Sequence, residues 1–361
     1  MPRVIGIDPG TKSIDVCGLD DGRVFLDRSF PTAEAVQDPQ VLLRLLHDAG
    51  PVDLVAGPSG YGLPLVRGSA VTEDELRLAF LAAPGEAGEG GIGGIRGLAR
   101  TLARSALPLV FTPGVIHLAS VPAHRKVNRI DMGTADKVGA AAVAIVDACR
   151  RAGSDPGAVS LVLVELGGAF TAVLAVREGR IVDGIGGSAG PLGFQAAGAL
   201  DGEVAFLAGE IPKRMLFGGG ASTVAGWGRG VGPERFESAV SPSELLALDA
   251  LLDQTVKAAV AMAVSVGQPC EFVLSGRLAR VPRVVAALVA RLQPFGSARL
   301  LEGFAGAKEA AQGAALLADG LAGGAHQALV DRLGIREAKG TVLDHLYVIP
   351  VVTARQRLGL G

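Results

Sequence analysis

An internal repeat constrains the fold of this chain more than any other feature of its sequence. Residues 4–26 read VIGIDPGTKSIDVCGLDDGRVFL, and residues 161–183 read LVLVELGGAFTAVLAVREGRIVD. The two stretches align without a gap at an offset of 157 residues, which places Asp8 on Glu165. Each stretch predicts a strand, a Gly-bearing turn, a second strand, a tight hairpin turn and a third strand. A repeat of this length predicts two domains built on one plan.

The length and composition of the chain agree with two domains. Its 361 residues are about twice the length of a typical domain. Hydrophobic residues make up 49% of the sequence, which is enough for two large cores. A break at residues 153–157, reading GSDPG, follows a long Ala-rich helical pattern. We therefore predict an α/β protein with domains at residues 1–155 and 156–361.

The charge and cysteine content exclude several classes of partner. The net charge of −2 provides no field that would attract nucleic acid or a membrane surface. No apolar run reaches the roughly 18–20 residues that a membrane helix needs, and no secretory signal pattern is visible at the N-terminus. Three scattered cysteines form no metal or redox motif. We expect a cytoplasmic protein with neither a nucleic-acid nor a membrane partner.

Strand and helix patterns alternate along the chain. Thr72 with Glu75 forms a capping-box pattern, and Thr134 is a candidate N-cap for a helix over residues 135–151. A later helix is predicted over residues 307–321. Residues 85–94 are rich in glycine and are predicted to form a mobile lid or an insertion.

The first Gly-bearing turn contains the parts of a phosphate loop. Gly10 allows the backbone to approach an anion, Thr11 and Ser13 offer hydroxyls, and Lys12 supplies positive charge. Asp8, at the end of the preceding strand, is a candidate for holding Mg²⁺ through water. The spacing is not that of a Walker A loop. The alternative is an ordinary β-turn with a solvated lysine.

The second turn offers a matching set of groups. Glu165 corresponds to the first acid, and Gly167, Gly168 and Thr171 are its candidate phosphate-binding residues. Two such turns at symmetric places suit a triphosphate clamped between two domains.

A third motif suits contact with a nucleotide. Ser275, Gly276 and Arg277 follow a predicted strand over residues 271–274. Glycine permits close approach, and arginine stacks on a base or pairs with a phosphate.

Candidate acceptor-binding groups lie in two places. One is the Gly/Pro-rich loop that contains Ser59 and Gly60, since loops at strand ends are common ligand sites. The other is a polar stretch whose candidate residues are Arg125, Asn128, Arg129 and Asp131. The alternative interpretation of these charges is a solvated surface.

Taken in order, these motifs resemble those of the superfamily that includes acetate and sugar kinases, heat-shock ATPase chaperones and actin. Residues 8–13 resemble its first phosphate motif, residues 165–171 its second, and residues 272–277 its adenosine motif. The helices over residues 135–151 and 307–321 resemble the two that cross between its domains. The resemblance implies two ribonuclease-H-like domains, with mixed sheets flanked by helices, and ATP in the cleft between them.

Within this superfamily the chain is most similar to predicted butyrate kinases. Residues 57–75 resemble their substrate loop, and residues 308–316 resemble a helix that makes Glu309 a second candidate for organising Mg²⁺. The chain also departs from these kinases. Pro58 and Ser59 stand where those kinases carry Arg-Gly. Glu165 stands where they carry an uncharged residue or a histidine before their glycines. Asp8 stands where acetate kinases have asparagine, and Ala169 replaces a third glycine.

The resemblance implies a Mg·ATP-dependent phosphotransferase whose small acceptor is a carboxylate. Asp8, Glu165 and Arg129 are then the candidate catalytic residues, and Arg125 or Arg129 would neutralise the acceptor. Butyrate-kinase relatives form dimers or larger assemblies, so a homo-oligomer is expected. One rival is a nucleotide-gated regulatory module without phosphoryl transfer. Another is a carbamoyl- or acyl-transferring relative, although His117 and His124 match poorly the paired histidines of that group.

Overall fold

The computed structural model of the protein describes residues 2–10, 12–57, 60–83, 92–228 and 230–361. Within these ranges the strands form a six-stranded and a five-stranded sheet. The first sheet contains β1 (Arg3–Pro9), β2 (Ser13–Asp20), β3 (Arg23–Pro31), β4 (Leu54–Gly57), β5 (Val66–Arg67) and β6 (Leu109–Phe111). The second contains β7 (Leu161–Leu166), β8 (Thr171–Arg177), β9 (Arg180–Ile185), β10 (Glu271–Ser275) and β11 (Ser297–Leu300). Their orders are β3-β2-β1-β4-β6-β5 and β11-β10-β7-β8-β9.

Helices cover both sheets and separate them. They are α1 (Thr32–Gln37), α2 (Gln40–Asp48), α3 (Glu73–Phe80), α4 (Ile92–Ala103), α5 (Ala123–Lys126), α6 (Ala135–Ala152), α7 (Gly202–Ala208), α8 (Ala221–Val224), α9 (Pro242–Val266), α10 (Pro282–Leu292), α11 (Glu309–Leu321), α12 (Gln327–Leu333) and α13 (Val351–Arg357). Throughout the described ranges, no helix is both long and apolar enough to cross a lipid bilayer.

The two sheets are copies of one plan, and the repeat in sequence is a repeat in strand register. Asp8 of β1 lies opposite Asp15 of β2, and Glu165 of β7 lies opposite Ala172 of β8. Because both pairs differ by the same 157-residue offset, the two hairpins share one register. β1 then pairs in parallel with β4, and β7 pairs in parallel with β10. The predicted duplicated α/β fold is confirmed.

The irregularities of the hairpins repeat as well. The register between the second and third strands shifts after Gly18 in the first copy and after Ala175 in the second. Asp21 and Gly22 form the first tight turn with φ values of 53° and 72°. The equivalent residues, Glu178 and Gly179, have φ values of 51° and 70°. Two positive φ angles in succession match the right-handed twist of the strands, which is why a hairpin closes there.

Alternate side chains of each sheet enter different cores. Val4 belongs to a core between the two sheets, whereas Ile5 packs with the helices on the outer face of the first sheet. In the second sheet Leu163 faces the central core, and Val164 faces an outer core that includes α9 and α10. This alternation follows from the two-residue period of a strand. The layers are therefore helix, sheet, helix, sheet, helix.

The central layer consists mainly of α6 and α11, which touch through glycines. A Cβ atom on Gly313 would lie 1.8 Å from the carbonyl oxygen of Gly139, so only glycine allows this approach. A Cβ atom on Gly6 of β1 would likewise lie 2.1 Å from the backbone nitrogen of Ala315. The two helices and the first sheet are thus packed backbone against backbone.

The start of α11 is fastened to the first hairpin. The backbone N–H groups of Gly306 and Ala307 donate to the carboxylate of Asp27 over 2.6 and 2.7 Å. The Nζ atom of Lys308 lies 3.0 Å from a carboxylate oxygen of Asp15. These contacts hold the first turn of α11 beside the first Gly-bearing turn.

Several local predictions have a clear outcome. The capping box is confirmed, because Glu75 N–H donates to the Thr72 hydroxyl and Thr72 N–H donates to the Glu75 carboxylate. Thr134 is the N-cap residue of α6 as predicted, but its hydroxyl donates to the Asp136 side chain instead of accepting a backbone N–H. Most of the predicted lid, residues 85–91, lies outside the described residues. The predicted boundary between residues 155 and 156 stays a prediction.

Substitution of Gly313 by alanine tests the close crossing of the two central helices. We expect the free energy of unfolding to fall by about 2–3 kcal/mol, because the new methyl group must push α6 and α11 apart. The matched control is Gly97→Ala in α4, where an added Cβ meets no atom within 4 Å. That change should raise stability by up to about 1 kcal/mol through helix propensity. Urea unfolding of the two variants measures both effects, and equal stabilities would contradict the crossing.

Buried His117 should make stability depend on pH. Burial lowers the pKa of His117 to about 4, and the nearby Lys126 ammonium acts in the same direction. The imidazole is therefore neutral in the fold, while the unfolded chain binds a proton below about pH 6.5. Stability should be complete above pH 6.5 and should fall by up to about 3 kcal/mol towards pH 4.

Two variants separate this effect from general acid unfolding. His117→Gln should flatten the pH dependence of the urea midpoint between pH 6.5 and 4. His47→Gln, which changes a side chain that is 92% exposed, should leave the dependence as it is in the unchanged protein. An unaltered slope in His117→Gln would contradict the role of burial.

Candidate active site

A cavity of about 750 Å³ opens between the two sheets. Both Gly-bearing turns and the first turns of α6 and α11 line it. The charged and glycine residues on these walls are Asp8, Gly10, Lys12, Ser13, Asp136, Lys137, Glu165, Gly167, Gly168, Lys308 and Glu309. The structure therefore brings the two predicted phosphate turns and the predicted metal residues to one place, which we call the cleft.

Backbone hydrogen bonds shape the first turn. The N–H of Gly10 donates to the carbonyl of Ser13 over 2.9 Å, and the hydroxyl of Thr32 donates to the carbonyl of Gly10 over 2.6 Å. A Cβ atom on Gly10 would lie 2.6 Å from the Nζ atom of Lys308. Glycine at this position thus lets a lysine from α11 approach the turn. Thr11 lies outside the described residues.

Asp8 is a buried carboxyl group at the end of β1. Burial, and then the Asp136 carboxylate, raise its pKa to about 7, while Lys308 and Lys137 act in the opposite direction. No donor within the described part of the chain is hydrogen-bonded to its side chain. A cation or an ordered water in the cleft would supply the missing partner.

Lys137, at the start of α6, joins two acids across the cleft. Its Nζ atom lies 2.5 Å from an oxygen of Asp136 and 2.9 Å from an oxygen of Glu165 at the end of β7. Burial opposes the charge on Lys137, but both carboxylates outweigh burial and raise its pKa. Burial likewise opposes ionisation of Asp136, but Lys137 and Thr134 keep its pKa below the ordinary value. Lys137 therefore stays protonated beside the two acids.

Glu165 contacts the same lysine, but its pKa shifts in the opposite direction from that of Asp136. Burial and the Asp136 carboxylate raise its pKa, although Lys137 favours the charged form. Glu165 thus shares a buried cation with a second acid, an arrangement that ties the end of β7 to the start of α6.

The second turn resembles the first in its backbone. The N–H of Gly167 donates to the carbonyl of Phe170 over 2.9 Å, which closes the turn. Gly167 and Gly168 face the cleft as predicted. Thr171 does not: its side chain is fully buried, lies off the cleft walls and has no hydrogen-bond partner among the described residues. As the first residue of β8, it points into the interior.

The predicted adenosine motif lines the cleft from the second sheet. Ser275, Gly276 and Arg277 all belong to its wall. Gly276 has a φ of 90°, and a Cβ atom there would lie 2.5 Å from the carbonyl oxygen of Leu166. Only glycine lets the chain turn this closely against the end of β7. Arg277 remains about half exposed, 3.8 Å from Glu234.

Two of the predicted acceptor residues face the cleft. Gly60 lines it, and so does Asp131, whose carboxylate accepts from the backbone N–H and the hydroxyl of Ser188 over 2.8 Å each. Tyr61 and Phe80 form the adjacent apolar wall. Ser59 lies outside the described residues.

Three predicted acceptor or catalytic residues do not reach the cleft. Arg125 donates to the carbonyl of Val182 over 2.8 Å and pairs with a neighbouring carboxylate instead. Asn128 accepts from the backbone N–H groups of Tyr347 and Val348, so it anchors the C-terminal segment. Arg129 is exposed and lies off the cleft walls. Arg125 lies in the short helix α5, and Asn128 and Arg129 follow that helix.

The prediction from sequence missed Asp15, Asp136, Lys137 and Lys308. Asp136 and Lys137 end the polar stretch NRIDMGTADK, in which the predicted Asp131 also lines the cleft. A signal for Asp136 and Lys137 was their position at the predicted start of a central helix. Lys308 directly precedes the predicted Glu309, at the start of the second central helix.

The cleft has no ready-made cage for a metal ion. Among the residues that the structure describes, no group of three or more His, Cys, Asp or Glu side chains is arranged to hold one. Mg²⁺ in phosphotransfer sites needs only one or two carboxylates together with waters and phosphates. The unpaired carboxyl of Asp8, with Glu309 on the same walls, fits that requirement.

Two duplicated mixed sheets around a nucleotide-sized cleft define the acetate-kinase class of fold, with its actin-like, ribonuclease-H-like halves. The acetate kinase of Entamoeba histolytica superposes with a TM-score of 0.57 at 12% identity, covering 81% of this chain and 86% of its own. A propionate kinase from Francisella tularensis subsp. tularensis SCHU S4 superposes with a TM-score of 0.61 at 11% identity, covering 87% of this chain and 98% of its own. The acetate kinase of Porphyromonas gingivalis superposes with a TM-score of 0.59 at 13% identity, covering 87% of this chain and 98% of its own.

In sequence, the chain belongs to the family described as a protein of unknown function, DUF1464, whose model matches residues 6–348. No curated protein matches the chain. The structural neighbours are so distant in sequence that they establish the fold, while the site must supply the argument for function.

Proposed function

We propose that this protein is a Mg·ATP-dependent phosphotransferase, similar to butyrate kinases, that phosphorylates a small carboxylate. The observation that carries the proposal is the pair of equivalent Gly turns facing one cavity. Lys12, Lys137 and Lys308 line the same cavity. Acidic side chains line it as well, so Mg²⁺ would accompany a bound phosphate chain. A triphosphate is the ligand whose shape and charge suit this arrangement.

The remaining walls suit the rest of the nucleotide. Gly276 and Arg277 lie on the side of the second sheet, where an adenosine would rest against the backbone and the guanidinium. The first turns of α6 and α11 also face the cleft, and the partial positive charge of a helix N-terminus favours phosphate. A cavity of about 750 Å³ is large enough for ATP and a small acceptor.

Asp8 and Glu309 are the residues that would hold Mg²⁺. When bound, the ion neutralises phosphate charge during transfer. In the protein alone, burial keeps the pKa of Asp8 near 7. A nearby cation favours the ionised carboxylate, so ligand binding and ionisation of Asp8 should support each other.

A carboxylate acceptor agrees with the other groups in the cleft. A carboxylate is ionised at neutral pH and attacks without a general base, so catalysis rests on positioning and on charge stabilisation. Tyr61, Phe80 and Ile95 offer an apolar wall for a hydrocarbon group. Arg125 and Arg129 lie elsewhere, so an anionic acceptor would meet other cations that line the cleft, such as Lys12 and Arg280. The neighbours named for acetate and propionate also act on short carboxylates.

Substitution of Asp8 by alanine tests the proposed metal and phosphate role. We expect Mg-dependent ADP formation with the best acceptor to fall by about 100-fold or more, because the ion loses its charged ligand. The matched control is Asp21→Asn at the hairpin turn of the same repeat, where asparagine tolerates the positive φ. A coupled ADP assay on both variants measures the effect. Equal activities would contradict the role of Asp8.

The decisive experiment for the whole proposal is calorimetry with Mg·ATP, followed by a screen of carboxylates from formate to branched fatty acids. We expect nucleotide binding, and ADP release only when a suitable acceptor is present. Binding without turnover on any acceptor would favour a nucleotide-gated regulatory module. No affinity for ATP would overturn the proposal.

A further inference from the structure

We propose that Lys137 is a catalytic residue that contacts the terminal phosphoryl group of the nucleotide, and that Asp136 and Glu165 are its positioning residues. The inference rests on the proposed function. It assigns the charge that stabilises the transferred group to a lysine of the central helix layer, in a position that the sequence motifs did not indicate.

The place of Lys137 in the fold carries the first part of the argument. It lies in the first turn of α6 and lines the cleft together with residues of both Gly turns. Its partner Glu165 is the penultimate residue of β7, two residues before Gly167 of the second turn. Asp8 is the penultimate residue of β1, just before the first turn, and lines the same cleft. Lys137 therefore faces the space that both turns border.

The hydrogen-bonding capacity of Lys137 carries the second part. An ammonium group has three N–H donors. Asp136 accepts a hydrogen bond from one of them over 2.5 Å, and an oxygen of Glu165 lies 2.9 Å from the Nζ atom as an ion pair. No further partner of Lys137 is found among the residues that the structure describes, and 15% of its side chain is exposed. At least one donor thus remains for a ligand.

The two acids explain why the charge is well placed. They come from two elements, α6 and β7, and both contact the ammonium group. They also keep it protonated in spite of its burial. A charge held in position before the ligand arrives requires no reorganisation when the reaction occurs, which is the condition for strong electrostatic catalysis.

The step that Lys137 would assist is a direct transfer. A bond forms between the acceptor oxygen and the terminal phosphorus, while the bond from that phosphorus to the bridging oxygen of ADP breaks. The electron pair of the broken bond stays on ADP. Negative charge on the three equatorial oxygens receives a hydrogen bond from Lys137, which neither gains nor loses a proton.

The test compares ATP-type and ADP affinities in Lys137→Met. Because only ATP has the terminal phosphate, the affinity for a non-hydrolysable ATP analogue should fall about 10- to 100-fold, while ADP affinity stays within about threefold. Calorimetry of both ligands with Mg²⁺ measures the ratio. Lys137→Arg, which keeps the charge, should recover part of the loss. An unchanged ratio, or equal losses for both nucleotides, would overturn the assignment.

A second variant guards against unfolding. Lys137→Met leaves two buried acids without their cation, which is destabilising. The double variant Lys137→Met/Glu165→Gln removes one of those charges, and its ratio of affinities is compared with that of Glu165→Gln alone. A selective loss of ATP-analogue affinity supports the proposal, and an unchanged ratio overturns it. If the unchanged protein binds neither nucleotide, the proposed function fails as well, whereas normal binding with an unaltered ratio in the variants overturns the assignment of Lys137 alone.

Discussion

The close crossing of α6 and α11 is the constraint on which the rest of the structure depends. Gly139 and Gly313 bring the two helix backbones into contact, and Gly6 brings α11 against β1. Both sheets pack their inner faces on this pair, so the crossing sets the distance between the sheets. The cleft is the space that remains at one end of the crossing, and the first turns of both helices become its walls.

The same crossing concentrates charge. It places Asp136 and Lys137 from α6 beside Lys308 and Glu309 from α11, in a region already bounded by Asp8. Burial makes each of these charges costly unless it has a partner, which accounts for the lysine shared by two acids. Asp8 has no such partner within the described residues and therefore has a raised pKa. Its carboxyl is the group in the cleft that most needs a ligand.

Much of this fold was predictable because its causes are local. Hairpin turns, the capping box at Thr72 and the 157-residue repeat depend on near neighbours in sequence, and all of them appear in the structure. The placement of single side chains was less predictable. Thr134 occupies the N-cap position of α6, but its hydroxyl bonds to a side chain. Thr171 points into the core because strand register decides which face it takes.

By itself, the sequence determined the duplicated architecture and the two Gly turns, since strand alternation and turn chemistry are encoded within short stretches. Only the tertiary structure decided which charged residues meet. Arg125, Asn128 and Arg129 are close in sequence to Asp131, yet they do not line the cleft. Lys137 and Glu165 are 28 positions apart and still form an ion pair. Such pairs depend on how helices cross between sheets, which is a property of the whole packed core.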